Sequence, residues 1–286
     1  MRAIAFCLAL ALAAAPAVAE EARHLFGAVP GPGGAAPAPI GSYAAGCLAG
    51  GVALDETGEG WQAMRLSRGR NFGHPAMIAF VERLGKKARA LGWPGVYVGD
   101  ISQPRGGPML SGHASHQIGL DADIWLRRPA ERPLTRAERE RIGSPSVVGP
   151  DGRAVNERWS MGHHWLIEAA ARDAAVARIF VNRAIKKALC EAEPDDGSGG
   201  DRAWLRKVRP WWGHDAHFHV RLRCPEGTPL CVDQAPPPPG DGCGAELASW
   251  FAPPPPAASR PKAGRPTRGR RISLWDMPRQ CATLVE

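Results

Sequence analysis

The chain has 286 residues, 44% of them hydrophobic, and a formal net charge of +8. Arg2 carries one of these positive charges, and a cluster of six basic residues between Arg260 and Arg271, which contains no acid, carries six more. Subtracting these seven charges from +8 leaves about +1 for the rest of the chain. Because the excess charge lies in a terminal tail, the sequence argues against a DNA-binding face. The length suits one large domain with a sizeable core and an irregular tail, or a domain and a half.

The first 19 residues have the pattern of a secretory signal peptide. Arg2 precedes an apolar run over residues 4–15, and Ala17-Val18-Ala19 supplies an A-x-A cleavage pattern. The run is too short to span a hydrocarbon layer of ~30 Å, although an N-terminal membrane anchor is the alternative. The predicted mature chain starts near Glu20 and has no later segment apolar enough to cross a membrane.

The rest of the chain divides into three regions. Residues 20–41 are rich in Pro, Gly and Ala and predict an extended lead-in. Residues 42–235 mix helical and strand patterns without a steady βαβ rhythm, which favours an α+β domain. Its predicted elements are a helix over 74–92, a strand at Val96–Val98, a loop over 102–112, a strand at Leu120–Leu126, a helix from His164 to Ala177, a strand at Ile179–Val181, a helix through Leu189 and a strand at His217–Arg223. Residues 236–286 form a Pro-rich basic tail without predicted regular structure.

Two short segments concentrate the side chains that can do chemistry. The first, SGHASHQIGLDADIWL at 111–126, places His113 and His116 in a loop of small residues before a strand. Side chains alternate along a strand, so Asp121 and Asp123 point away from the apolar face that packs on the core. Imidazole and carboxylate together are a good pair of zinc ligands.

The second segment is RPWWGHDAHFHVRLRCP at 209–225. By the same alternation His217 and His219 share one strand face, and His214 lies just before the strand. One imidazole can bind a metal while its neighbour lies near the water that the metal holds. A lone histidine is more often a surface or core residue, but five of the nine histidines fall in these two segments, which favours a metal site.

The motifs His116-x6-Asp123 and His217-Phe218-His219 resemble the metal signature of the LAS peptidases. The longer stretches GHASHQIGLDADIWL, WWGHDAHFHVRLRCP and RIFVNRAIKKALC are similar to the penicillin-insensitive murein endopeptidases within that group, and the similarity covers most of residues 40–235. The resemblance implies a small central antiparallel sheet flanked by helices, a periplasmic location, and hydrolysis of D-alanyl–meso-diaminopimelyl cross-links between the stem peptides of peptidoglycan.

The resemblance also implies the role of each site residue. One Zn²⁺ would be held by His116, Asp123 and His219. His217 would be the general base, and His214 would stabilise the oxyanion of the tetrahedral intermediate. The residues alone do not decide whether these last two roles are exchanged.

Further candidates have weaker support. In the resembling family, the position of His113 belongs to a second metal, but only Asp151 matches here, and Ala154 stands where a further histidine is expected. His113 is therefore predicted to line the pocket or bind substrate. Arg105, whose guanidinium suits a carboxylate, and Trp212 are candidate substrate contacts. The alternatives are a solvated loop arginine and a core tryptophan.

Six cysteines remain once Cys7 leaves with the signal peptide, and for an exported chain this even number predicts three disulfides. The residues alone allow fifteen pairings. The resemblance implies the pairs Cys47–Cys281, Cys190–Cys243 and Cys224–Cys231.

Two rival functions stay open at this point. One is a carboxypeptidase that trims terminal D-alanine, and the other is a zinc-stabilised wall-binding module without hydrolysis. The basic tail could contact an anionic wall polymer or simply aid solubility. The sequence predicts no nucleic-acid partner and leaves open whether the protein is a homodimer.

Overall fold

A seven-stranded mixed sheet forms the centre of the fold, as seen in a computed structural model that describes residues 21–193, 201–253 and 272–286. The predicted signal peptide and the basic cluster between Arg260 and Arg271 lie outside these described residues. No helix within the described ranges is long and apolar enough to cross a membrane.

The elements of the described chain follow one another from the N-terminus to the C-terminus. The strands are β1 Ala38–Ser42, β2 Ala45–Ala49, β3 Val52–Ala53, β4 Thr57–Gly58, β5 Trp61–Ala63, β6 Phe72–Gly73, β7 Val96–Val98, β8 Asp121–Trp125, β9 Val176–Val181, β10 Val208–Pro210 and β11 His217–Leu222. The α-helices are α1 Ala22–Ala28, α2 Pro75–Ala90, α3 Arg136–Arg141, α4 Met161–Arg172, α5 Arg183–Ala192 and α6 Ala245–Ser249.

The main sheet has the strand order β10-β9-β11-β8-β7-β5-β4. Its centre, β9-β11-β8-β7, is antiparallel, as the resemblance implies. The whole sheet is nevertheless larger and mixed, because β5 pairs with β7 and β9 with β10 in parallel. Parallel neighbours need a crossover connection, and α2 and α5 provide these crossovers. The prediction of a small antiparallel sheet therefore describes only the middle of the molecule.

The pairing of β11 with β8 positions the candidate site. His219 lies opposite Asp123, His217 opposite Trp125, and Arg221 opposite Asp121. Directly opposed residues on one face of an antiparallel pair have Cβ atoms about 4.5–5.5 Å apart. This register therefore brings the histidines of one predicted segment beside the aspartates of the other.

The opposite face of these two strands carries the core. Ala122, Ile124, Phe218 and Val220 are completely buried there, as the alternation predicts. The face with the histidines and aspartates is also largely buried, because Asp121, Asp123 and His219 are each at most 5% exposed. The polar side chains therefore form a largely buried cleft, open at its edge, where their charges interact strongly.

Helix α2 illustrates how the long helices arise from the sequence. The Nδ1 atom of His74 accepts a hydrogen bond from the backbone N of Ala76 at 3.1 Å, and Pro75 occupies the first helical position. Five apolar residues at helical spacing are buried and form its core face: Met77, Phe80, Val81, Leu84 and Ala88. The predicted helix from His164 to Ala177 ends earlier, at Arg172, because the side chain of Asp173 accepts a hydrogen bond from the backbone N of Ala175 and turns the chain into β9.

The two terminal segments are more ordered than predicted. The predicted extended lead-in contains helix α1, and the Pro-rich tail contains helix α6. Phe26 of α1 is buried with Cys47, Met277 and Cys281 in a small apolar cluster separate from the main core. A seven-residue helix is marginal alone, so this packing against the C-terminal segment stabilises α1 and overrides the composition of the lead-in.

The three disulfides link the pairs that the resemblance implies: Cys47–Cys281, Cys190–Cys243 and Cys224–Cys231. The first pair is separated by 234 residues and joins β2 to the C-terminal segment. In the chain-entropy account, closing so long a loop stabilises the fold by ~5 kcal/mol. This bond therefore holds the tail against the start of the domain.

The buried side chain of Lys186 on α5 is expected to make the stability of the protein depend on pH. Its buried ammonium donates to the backbone oxygens of Leu205 and Asp241 at 2.8 and 2.6 Å, and burial lowers the pKa of Lys186 to about 7. Above that pH the unfolded chain, whose lysine has a pKa near 10.4, binds more protons than the folded chain, so the free energy of unfolding rises with pH. We expect Lys186→Met to reduce this slope by up to ~1.4 kcal/mol per pH unit.

The measurement for Lys186 is urea unfolding between pH 7.5 and 9.5. Lys187→Met is the matched control, because Lys187 is the next residue of the same helix, is partly exposed and pairs with Glu191 at 3.2 Å. A slope that Lys186→Met leaves unchanged would contradict the lowered pKa.

Candidate metal centre

Five histidines and one aspartate converge in this cleft, on the polar face of β8 and β11. The loop before β8 supplies His113 and His116, β8 supplies Asp123, and β11 with the turn before it supplies His214, His217 and His219. His116 and His219 are almost fully buried, whereas His113 and His217 are partly exposed. The two segments that the sequence predicts to carry chemistry therefore form one cluster.

Three side-chain atoms in this cluster lie close enough to share one cation. The Nε2 atom of His116 lies 3.2 Å from Nδ1 of His219 and 3.4 Å from Oδ1 of Asp123. The Nδ1 atom of His219 lies 3.6 Å from the same Oδ1. Zinc bound tetrahedrally at ~2.0–2.1 Å requires ligand atoms ~3.3 Å apart. The three separations fit that requirement.

An unpaired oxygen gives independent support for a cation. Oδ1 of Asp123 is buried and has no hydrogen-bond donor among the described residues. Buried polar atoms are almost always paired, and an unpaired carboxylate oxygen is especially costly. A cation in contact with Oδ1 would satisfy it. The three close ligand atoms and this unpaired oxygen therefore fit a bound metal ion.

Neighbouring groups orient both buried imidazoles. Nδ1 of His116 lies 2.7 Å from the backbone oxygen of Ile101, so Nδ1 carries the proton and Nε2 presents its lone pair. Nε2 of His219 lies 3.1 Å from Oδ1 of Asp121, although not aligned for a hydrogen bond. A hydrogen-bonded partner on the outer nitrogen, as at His116, fixes the tautomer and the ring orientation of a metal-binding histidine.

The charges in the cleft follow from burial and pairing. Burial lowers the pKa of His219 to about 4, partly opposed by Asp121, so its imidazole is neutral at pH 7. Burial raises the pKa of Asp121, but the Arg221 guanidinium and the contact with His219 together outweigh it and hold that pKa well below its usual range. Burial lowers the pKa of His116, but the Asp123 carboxylate, together with Asp121 and the backbone oxygen of Ile101, outweighs it and raises the pKa. A cation that binds here therefore competes with a proton on His116.

The remaining two histidines of the second segment lie at the edge of the proposed ligand set. Nε2 of His217 lies 3.5 Å from Oδ1 of Asp123, and the side chain is 30% exposed. The ring centroid of His214 lies 5.0 Å from that of His217, and its Nδ1 is 2.8 Å from the backbone oxygen of Trp212. Burial lowers the pKa of His214, so the ring is neutral at pH 7, with the proton on Nδ1 and a lone pair on Nε2.

Strained backbone also marks this cleft. His116 and His214 have backbone φ angles of 66° and 52°, in the left-handed region that residues other than glycine rarely adopt. Residues held in that region cost about 1–3 kcal/mol and cluster at functional sites. The fold thus maintains an unfavourable conformation at two histidines of the cluster.

His113 contacts both the cluster and a further carboxylate. Its Nε2 lies 3.5 Å from Oδ2 of Asp123 and 3.1 Å from Oδ2 of Asp100. Burial raises the pKa of Asp100, but hydrogen bonds from His113 and Arg70 outweigh it and lower the pKa to about 2. The group formed by His113, His116 and Asp123 could also hold a metal ion.

The structure does not bring the other predicted second-metal residue to His113. Asp151 is exposed, and its Oδ1 accepts a hydrogen bond from the backbone N of Arg153 at 2.9 Å within its own turn. No contact joins Asp151 to His113 in the described part of the chain. The pairing of these two residues around a second metal is therefore not supported.

The two predicted substrate contacts have different outcomes. Arg105 donates to the backbone oxygens of Gly31, at 3.2 Å, and Leu284. Its guanidinium thus ties the two terminal segments together, which makes it less suited to the predicted substrate contact. Trp212 is 70% exposed two residues before His214, and its ring lies 5.3 Å from that of Trp250. A role as a wall of the substrate groove stays a prediction for Trp212.

Two carboxylates in and beside the cleft act on the cluster without belonging to the predicted ligand set. Asp121 contacts His219 and also accepts the backbone N of His116 at 3.0 Å. The alternation along β8 places Asp121 on the correct face, but only the strand register reveals its partners. Asp100 follows β7, and no pattern in the sequence singles it out.

Comparison with known proteins identifies the family of this chain. The profile of the family described as Penicillin-insensitive murein endopeptidase matches residues 39–286. A penicillin-insensitive murein endopeptidase of Haemophilus influenzae is 51% identical over 231 residues, which cover 80% of this chain and 79% of the relative. Proteins of the same description from Klebsiella pneumoniae and Salmonella heidelberg are 45% identical over 248 residues, or 86% of this chain and 85% of each relative. The chain therefore belongs to the penicillin-insensitive murein endopeptidase family, peptidase family M74.

Proposed function

We propose that this chain is a zinc-dependent endopeptidase that hydrolyses D-alanyl–meso-diaminopimelyl cross-links between peptidoglycan stem peptides. The observation that carries the proposal is the set of three mutually close atoms on His116, Asp123 and His219, one of which is an unpaired buried oxygen. The names of the relatives support murein as the substrate.

His116, Asp123 and His219 would hold the zinc, and three protein ligands with an open position are the pattern of catalytic rather than structural zinc. When bound, zinc polarises a carbonyl and lowers the pKa of water to ~7. The imidazole and carboxylate donors suit zinc better than Mg²⁺ or Ca²⁺, which prefer all-oxygen sites.

His217 is our candidate for the general base. It is partly exposed, and its Nε2 lies 3.5 Å from Oδ1 of Asp123, beside the ligand atoms. From this position it can take a proton from the attacking water and deliver it to the leaving amine. Its neighbour in the strand alternation, His219, points into the same cleft as a ligand.

The structure changes our expectation for His214. Donation of an oxyanion hydrogen bond requires a proton on Nε2, but the contact to the oxygen of Trp212 places the proton of the neutral ring on Nδ1. Burial opposes a second proton. We therefore assign His214 to the proton path as a second acceptor beside His217, rather than to the oxyanion.

The proposed location is the periplasm. Three disulfides suit an oxidising compartment, and the predicted signal peptide provides the route of export. The substrate, a polymer outside the cytoplasmic membrane, agrees with that location.

Digestion of purified cross-linked peptidoglycan, read by separation of the released muropeptides, tests the proposal. We expect dimeric muropeptides to become monomers, a chelator to stop the conversion, and added zinc to restore it, because the proposed ligand set has no other source of an activated water. Release of free D-alanine with dimers intact would favour a carboxypeptidase. Persisting dimers, with stoichiometric zinc and a protein that sediments with the wall, would favour the binding module.

A further inference from the structure

An arginine beside the cluster has no role in holding a metal. Nη1 of Arg68 lies 3.3 Å from Oδ2 of Asp100, the same oxygen that contacts Nε2 of His113 at 3.1 Å. His113 in turn lies 3.5 Å from Asp123. Arg68 is thus two side chains away from a proposed zinc ligand, and its side chain is 48% exposed.

The charges around Asp100 do not balance. Arg70 pairs with the same carboxylate at 2.8 Å through a side chain that is only 10% exposed, so Arg70 already neutralises it. Arg68 makes the longer contact from the more exposed position. The second guanidinium is therefore surplus positive charge, directed at the edge of the cleft and accessible to a ligand.

A constrained turn presents Arg68. The 3-10 helix Leu66–Arg68 lies between Arg65 and Gly69, whose φ angles of 56° and 59° are both left-handed. Ser67 holds the turn against α3, because its backbone N and Oγ donate to the carboxylate of Glu140 at 2.9 and 2.8 Å.

The strain at Arg65 has a parallel in the cleft. Arg65, His116 and His214 are the residues other than glycine with positive φ in the described chain. Two of the three belong to the histidine cluster, and the third begins the turn that ends in Arg68. Strain of this kind is maintained mainly where function requires a particular geometry.

The substrate of the proposed function carries a matching anion. In a D-alanyl–meso-diaminopimelyl cross-link, the carbon attached to the scissile amide nitrogen also bears a free carboxylate. A planar guanidinium can bind such a group through two parallel hydrogen bonds. We propose that Arg68 binds this carboxylate on the amine side of the scissile bond and so selects the diaminopimelate residue. This inference depends on the proposed function.

Other arginines fit this role less well. Arg105, the carboxylate-binding candidate from the sequence, donates to backbone oxygens of the terminal segments. Arg221 is buried and engaged by Asp121 through two contacts of 2.8 and 2.9 Å. Arg70 is nearly buried against Asp100. Arg68 combines proximity to His113 with exposure.

The test compares two purified cross-linked dimers, one with the free carboxylate and one in which that carboxylate is amidated. Wild type, Arg68→Ala, Arg68→Lys and Arg83→Ala are each assayed on both. Arg83 is the matched control, because it is a 51% exposed arginine on α2 that pairs with an aspartate, Asp173, at 2.8 Å.

We expect wild type and Arg83→Ala to prefer the free carboxylate. Arg68→Ala should lower kcat/KM on that dimer by roughly ten- to a hundredfold, mainly through KM, and leave the amidated dimer almost unaffected, because a hydrogen bond to a charged group is lost only in the first case. Arg68→Lys should recover part of the preference, since it keeps the charge without the two-pronged geometry.

Two results would overturn the assignment. If Arg68→Ala lowers hydrolysis of both dimers equally, Arg68 only positions Asp100 and His113. If wild type does not distinguish the dimers, no group in the cleft reads the carboxylate. Failure of the proposed function is separate, because wild type would then cleave neither dimer.

Discussion

Replacing His219 with alanine is expected to remove both zinc binding and peptidoglycan hydrolysis. Nδ1 of His219 lies 3.2 and 3.6 Å from the other two proposed ligand atoms, so the variant keeps only His116 and Asp123. Loss of a group that hydrogen-bonds to a metal ligand typically costs ~10–100-fold in metal affinity or activity, and loss of a ligand itself costs more. We expect activity to fall by more than ~1,000-fold.

A second variant on the same strand separates metal binding from catalysis. His217 shares a strand face with His219 but lies outside the proposed ligand set. His217→Ala should keep one zinc per chain and still lose ~10²–10⁴-fold in kcat, the usual contribution of a general base. The measurements are zinc content after dialysis and conversion of dimeric muropeptides. If His219→Ala retains zinc and His217→Ala loses it, the ligand and the base are exchanged.

The sequence predicts which strand face these side chains share, because strand alternation is a local property. The alternation of side chains along a strand is enough to place Asp123, His217 and His219 away from the core, and the pairing of β8 with β11 brings them together. Local pattern does not specify which residues face each other across strands. The contact of Asp121 with Arg221 depends on the register of two strands whose residues lie 100 apart in the chain. The contact of His113 with Asp100 depends on how two separate loops meet in the fold. Neither can be predicted from a local sequence pattern.

The fold is predicted less completely, and the missing parts share a cause. Long helices such as α2 have enough turns to show their periodicity, whereas β5 and β10 are three residues each and show none. Those short strands supply the parallel pairs that make the sheet mixed. Helix α1 forms because Phe26 packs against the C-terminal segment, a contact between the two ends of the chain.

Asp121 has the second large expected effect, because one buried carboxylate contacts both proposed histidine ligands. Oδ2 accepts the backbone N of His116 at 3.0 Å, and Oδ1 lies 3.1 Å from Nε2 of His219. Arg221 holds the carboxylate from the opposite strand through Nε and Nη2 at 2.8 and 2.9 Å. The guanidinium carbon of Arg221 lies 4.1 Å from the ring centroid of Tyr43, which further fixes its position.

Asp121→Asn keeps the shape of this side chain but removes its charge. The buried guanidinium of Arg221 then lacks a counter-ion, and breaking a buried pair in this way typically costs ~3–5 kcal/mol. The imidazole of His219 also loses an anionic neighbour, so we expect zinc affinity to fall by ~10–100-fold. Urea unfolding measures the first effect, and competition with a chelator measures the second. Arg223→Ala, an exposed arginine on the same strand extension, should change neither.

The double variant Asp121→Asn/Arg221→Met separates the two effects. Removing both members of a buried ion pair is often close to neutral, because no unpaired charge remains, so most of the lost stability should return. Zinc affinity should stay low, because the carboxylate beside His219 is still absent. If zinc affinity recovers together with stability, Asp121 acts on the metal site only through folding. If stability recovers alone, the carboxylate itself orients the imidazole, and the cleft holds its metal ligands through charge as well as through packing.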